Sequence, residues 1–426
     1  MPDFSGFDTL ALHAGYSFDS VTGSSAVPIY QTASYVFHDT AHAARLFALE
    51  ESGNIYSRMQ NPTNDILEQR VAALEQGVAA VAFSSGMAAI SATLLALCRP
   101  GDEIVASTRL YGGTVTLLTG QFERLGIKTV WVDSDDAEGF EAALSDRSRA
   151  VYLETIGNPR LAVPDLFGIA AVAHRAGVPV VVDNTTASPA LCRPLSFGAD
   201  IVVHSLTKYL NGHGNSIGGI VVDGGHFPWD NGRFPEFSSP DPAYHGVCFT
   251  EQFGPAAFAA RCRTGMLRDM GACISPFNSF LTLVGVETLG LRMARHSENA
   301  LAVAQFLEQH PRAAWVLYPG LESHPSHRYA QQYLSEGASG MVGFGVKGGL
   351  EAGRRFIEGL QMFSHLANIG DSRSLAIHPA STTHQQLTEE QLIAAGVTPD
   401  FVRLSIGIEN LPDILGDLDQ ALAKSV

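Results

Sequence analysis

The 426-residue sequence predicts an α/β fold: a mostly parallel seven-stranded sheet with helices on both faces, followed by a smaller C-terminal α+β region. Seven short runs, Ala79–Phe83, Glu103–Ala106, Thr129–Val132, Ala150–Glu154, Val180–Asp183, Ile201–His204 and Gly219–Val222, have the length and apolar content of buried strands. Helix-like intervals such as Met87–Leu97 and Leu166–Ala176 separate most of them. That alternation requires crossovers, which cover both faces of a parallel sheet. The length and the 46% hydrophobic content allow about two domains.

Residues 1–60 are polar, irregular and rich in Ser, Thr and aromatics, which reads as an extended arm. Asn61-Pro62-Thr63 then starts a helix that carries Leu67, Val71 and Leu74 at helical spacing. The strand–helix rhythm breaks over 224–260, where Gly, Pro and aromatics predict a long surface excursion. Helical periodicity returns over about 266–309, and strands are expected near Met341–Val346 and Phe401–Ile406. The expected organisation is therefore an arm (1–60), a large domain (61–268, with the 224–260 insertion) and a small domain (269–426).

A formal net charge of −16 argues against nucleic acid, whose phosphates need basic surface, and serves solubility. The five cysteines are odd in number and form no C-x-x-C pair, which fits a reduced cytoplasm better than a disulfide scaffold. The start, MPDFSGFD, lacks the basic and apolar regions of a secretion signal, and no apolar stretch is long enough to span a bilayer. A soluble cytoplasmic protein is expected.

The chemistry gathers at strand ends. The run 180–183 finishes on Asp183, and the run 201–204 on a hydroxyl-rich turn, Ser205-x-Thr207-Lys208. In a parallel sheet the carboxyl ends of strands share one crevice. A lysine and a buried carboxylate there suit pyridoxal 5′-phosphate, which forms a Schiff base with a lysine and needs an acidic partner for its pyridine nitrogen. Ser205 and Thr207 stand where they could hold its phosphate. Ser84-Ser85-Gly86-Met87, between a strand and a helix, offers backbone N–H groups and a helix dipole to the same anion, although a serine there is ordinarily just a helix cap. Tyr56 and Arg58 add a phenol and a forked donor, which the arm could deliver only by folding over a site, in its own chain or a neighbour's. Tyr111 could stack on a pyridine ring or pack in the core. Asn158 could bond a substrate carboxylate or a ring oxygen, and Arg403, in a strand pattern, could clamp a carboxylate.

Three other patterns carry less. Ser205-x-x-Lys208 matches a serine acyl-enzyme signature, but the companion S-D-N and K-T-G motifs are absent. Gly343-x-Gly345-x-x-Gly348 lies outside the strand–helix alternation that a dinucleotide site needs. His324 and His327 have no third ligand beside them, so no metal is expected.

Taken in order, YSRMQNPT (56–63), SSGMAA (84–89), LYGGT (110–114), ETIGNP (154–159), VDNT (182–185), HSLTKYLNGHG (204–214), HPASTTH (378–384) and VRLSIGIEN (402–410) resemble the Cys/Met-metabolism family of PLP-dependent enzymes, of fold type I. The resemblance covers nearly the whole chain. It implies Lys208 as the cofactor lysine, Asp183 as partner of the pyridine nitrogen and Tyr111 as the stacking ring. It implies Ser85, Gly86, Met87, Ser205 and Thr207 at the phosphate, with Tyr56 and Arg58 from a neighbouring subunit. Asn158 and Arg403 would bind the substrate carboxylate, and Tyr56 would also face the substrate. It further implies a homo-oligomer, a dimer at least and commonly a tetramer. Within the family, NGHGNSIGG (211–219), the insertion after Gly225 and GLESHPSH (320–327) are most similar to the sulfhydrylases that act on O-acetylhomoserine. Gly113 stands where methionine γ-lyases usually carry a cysteine.

Overall fold

The computed structural model describes residues 4–244, 246–382 and 397–425. The last two residues of the 378–384 motif therefore lie outside the described residues. Seven strands build the large sheet: β1 (Ala79–Phe83), β2 (Glu103–Ser107), β3 (Lys128–Val132), β4 (Ser148–Glu154), β5 (Val180–Asp183), β6 (Ile201–Ser205) and β7 (Gly219–Asp223). Their order is β1-β7-β6-β5-β4-β2-β3, and only β7 runs antiparallel to its neighbours.

Side chains of a strand alternate between the two faces of the sheet, so each strand feeds two cores. Val180, Val182, Val202, Ile220 and Val222 pack into one, and Val181, Ile201, Val203 and Val221 into the other. This is why the strands read as continuous apolar runs rather than as alternating ones.

The arm departs from the irregular chain expected of it. It contains two short helices, α1 (Phe7–His13) and α2 (Thr40–Phe47). In α2 the Asp39 carboxylate accepts the His42 N–H, which satisfies a free donor at the helix start. The carbonyl of Ala14, just after α1, is held by the buried Arg70 at 3.0 Å. Two turns of helix are too short to show a period in the sequence. Next comes α3 (Pro62–Glu75), with Asn61 as its cap and Pro62 at its first position, then α4 (Gly86–Leu97) and α5 (Gly112–Thr116).

The 224–260 segment also differs from expectation. It does not stand away from the body. Phe227, Trp229, Phe234, Phe237, Tyr244, Phe249 and Phe258 are all buried in the core beneath that face of the sheet. Trp229 stacks on Phe237 with ring centroids 4.4 Å apart, an arrangement worth more than its buried area alone. The aromatic residues that suggested a surface loop are its packing face.

After a long helix, Leu289–Gln309, a second sheet forms from β8 (Ala313–Leu317), β9 (Met341–Val346), β10 (Ser364–His365), β11 (Leu375–Ile377) and β12 (Phe401–Ser405), in the order β10-β11-β12-β9-β8. Gly343 and Gly345 lie inside β9, where the chain is extended and makes no phosphate turn. Among the described residues no helix is long and apolar enough to cross a membrane, and all five cysteines are free.

Candidate active site

β5 and β6 are neighbours, so their carboxyl ends set Asp183 beside the Ser205–Lys208 turn. Asp183 is buried, and burial pushes its carboxyl above the usual carboxylate range. The Thr185 N–H at 3.0 Å acts in the opposite sense, and the Tyr152 hydroxyl donates to it at 3.4 Å. Lys208 is half-buried. Burial, and next the charge of Arg403, bring its amine down from 10.5 to about 8. Its Nζ donates to Asn368 Oδ1 at 2.5 Å.

Across the crevice, β12 carries Arg403. Its guanidinium donates to Asn158 Oδ1 at 3.2 Å and to the Asn368 carbonyl at 3.4 Å. Among the described residues it pairs with no carboxylate, and burial lowers it to about 10. A half-buried cation that meets only neutral acceptors can take an anion from outside the chain. Asn158, itself buried, closes the turn after β4.

At the start of α4 the Ser85 hydroxyl accepts the Ala88 N–H, so this side chain is in fact a cap. The adjacent Gly86 touches the β6 turn. A Cβ on Gly86 would lie 2.7 Å from Ser205 Cβ, so only glycine lets the helix N-terminus and the Ser205–Thr207 turn meet. Thr207 Oγ1 donates to the Gly218 carbonyl at 3.3 Å, and Thr185 Oγ1 accepts the Ser205 N–H.

Tyr111 caps α5 with its ring half exposed, and its N–H donates to Glu154 Oε1 at 2.6 Å. A Cβ on Gly113 would lie 2.4 Å from Tyr111 Cε1, so the ring rests on that glycine. Tyr56 and Arg58 are not brought to this cluster. Both are exposed, the Arg58 guanidinium lies 5.4 Å from the Tyr56 ring centre, and among the described residues no hydrogen bond joins either side chain to Lys208 and its neighbours.

Residues 8–423 match the family of Cys/Met metabolism PLP-dependent enzymes. The chain belongs to that family. It is 57% identical over 97% of its length, and 96% of the relative's, to an O-acetyl-L-homoserine sulfhydrylase of Leptospira meyeri. It is 52% identical to a homocysteine synthase of Schizosaccharomyces pombe, over 98% of both chains. A crystal structure described as an O-acetylhomoserine (thiol)-lyase from Campylobacter jejuni superposes with a TM-score of 0.94 at 41% identity, covering 98% of this chain and 100% of the other. That structure carries an N′-pyridoxyl-lysine-5′-monophosphate.

The residues fit the family's cofactor. A lysine with a lowered amine, a buried carboxylate at the next strand end and a glycine-lined helix N-terminus face one crevice. Two residues of this PLP-dependent family member escaped the sequence reading. Asn368 lies in a loop between β10 and β11 and has no local pattern to mark it. Glu154 was visible only as the end of a strand, because its bonds to Tyr111 in a distant loop and to Asn158 in the turn that follows leave no pattern in the sequence.

Proposed function

We propose that the chain catalyses γ-replacement on O-acetyl-L-homoserine, with sulfide or methanethiol displacing acetate to give L-homocysteine or L-methionine, as a step in sulfur amino-acid synthesis. The observation that carries this reading is the Lys208 amine, lowered to about 8 and held 2.5 Å from Asn368 beside Arg403, in a chain so similar to O-acetyl-L-homoserine sulfhydrylases. Pyridoxal phosphate, when bound, supplies an electron sink that acidifies the hydrogens at Cα and then Cβ.

The chain's residues then divide the work. Lys208 anchors the cofactor and, once released, moves the protons at Cα and Cβ; an amine near neutrality is suited to both directions. Asp183 keeps the pyridine nitrogen protonated. The N–H groups of Ser85, Gly86 and Met87, with Ser205 and Thr207, hold the phosphate. Tyr111 stacks on the ring. Arg403 and Asn158 take the substrate's α-carboxylate, which gives Arg403 the anion it lacks. Loss of both protons lets the acetoxy group leave with the Cγ–O electron pair, the sulfur nucleophile bonds to Cγ, and protons return to Cα and Cβ.

Tyr56 and Arg58 complete the phosphate and substrate site of a second copy, so the working unit is a homodimer or a tetramer of such dimers, in the cytoplasm. We assign 1–60 to this arm, 61–268 to the cofactor domain and 269–426 to the small domain. Product analysis tests the reading. O-acetylhomoserine with sulfide should give homocysteine and acetate, and O-succinylhomoserine should be the poorer donor. Release of 2-oxobutyrate and ammonia irrespective of sulfide would make the enzyme a lyase instead.

A further inference from the structure

A second buried carboxylate ends the strand beside Asp183, and the roles above leave it unused. Glu154 closes β4 and is the register partner of Asp183 in β5. It is 6% exposed and pairs with no cation among the described residues. Its two oxygens serve two different loops: Oε1 accepts the Tyr111 N–H at 2.6 Å, and Oε2 accepts the Asn158 N–H at 3.2 Å. Burial, and next the charge of Asp183, push its carboxyl well up, while these two bonds pull the other way. Burying a carboxylate without a counter-ion is costly, so packing alone would favour an apolar residue at this position.

We infer that Glu154 is a positioning residue that fixes the Tyr111 ring and the Asn158 amide relative to one another. The inference rests on the roles proposed for those two residues. Glu154 begins a continuous polar line across the crevice. It holds the Asn158 backbone, Asn158 Oδ1 accepts from Arg403, Arg403 donates to the Asn368 carbonyl, and Asn368 Oδ1 accepts from Lys208 Nζ. The ring-stacking residue and the lysine are thereby tied to one scaffold. A carboxyl group suits the place because each of the two N–H donors meets its own oxygen; a glutamine offers one oxygen and an NH2 group that would face the second N–H.

The test uses holoenzyme. Glu154→Gln should lower kcat/KM for O-acetylhomoserine about 10²-fold, the loss typical of a small misplacement of reacting groups, and should alter the visible circular dichroism of the bound cofactor. In a Tyr111→Ala/Asn158→Ala background the same substitution should cost less than about 10-fold, because the groups it positions are gone. Glu154→Asp keeps both acceptors on a shorter stem; it should show the same non-additivity with a smaller loss, and it serves if Glu154→Gln yields no folded protein. A loss equal in both backgrounds, or wild-type kinetics and dichroism in Glu154→Gln, would overturn the inference. A wild-type protein with no cofactor band would instead overturn the reading of Lys208 and Asp183 on which it rests.

Discussion

The two sheets meet the crevice with different chemistry. The seven-stranded sheet contributes Asp183, Glu154 and the Ser205–Lys208 turn, all at strand ends, and each is tied down by neighbours in the same sheet or by its own loops. The five-stranded sheet contributes Arg403 from the middle of β12, with Asn368 from a loop, and leaves a half-buried cation without a carboxylate among the described residues. On the proposed reading the first wall meets the cofactor, and the second is completed by the substrate. Reaction chemistry and substrate recognition should therefore fail separately when each wall is damaged.

The largest effect belongs to the first wall. Lys208→Ala should abolish turnover and the cofactor's lysine-bound absorbance together, because no other group there can anchor it; retention of either would break the division. Next is Arg403→Ala. It should weaken carboxylate recognition by about 2–5 kcal/mol, read as a fall in kcat/KM with the absorbance band intact. An unchanged KM and kcat/KM would merge the two walls into one.

A smaller loss, roughly 10-fold, is expected from Gly113→Ala. Its new methyl would meet Tyr111 Cε1 at 2.4 Å, and the ring, being the mobile end of a side chain, should swing away at little cost in stability. Wild-type activity in that variant would show that the ring's resting place is immaterial. The smallest effect is a pH dependence of cofactor-free protein. Lys208 binds its proton more weakly folded, at about 8, than at its ordinary 10.5. The fold is therefore penalised below pH 8, and the penalty fades as pH rises from about 8 to 10.5, by at most on the order of 3 kcal/mol. Lys208→Met should lack this rise in Tm; an identical pH profile in both proteins would contradict the burial of the amine.

The same contrast explains what could be read from the sequence. Strands buried on both faces leave runs such as Val180–Asp183 that stand out without any partner being known, and Lys208 and Asp183 follow because strand ends converge. Arg403 was recognisable as a cation within an apolar strand. Asn368 and Glu154 were not, since they act through contacts with Lys208 and Tyr111 that only the folded chain makes; nor was the seat of Tyr111 on Gly113, two residues on, which depends on the local course of the backbone. The 224–260 segment was misread for a related reason. Its glycines and prolines signal loops, while the stacking of Trp229 on Phe237 and Phe258 appears only once the chain is folded. The arm's helices were too short to announce themselves.

Borohydride reduction of the holoenzyme followed by peptide mapping tests the central claim most directly. The chain has four lysines, at 128, 208, 347 and 424. The account predicts one phosphopyridoxyl group per chain, on Lys208. A label on any of the other three, or none at all, would contradict it.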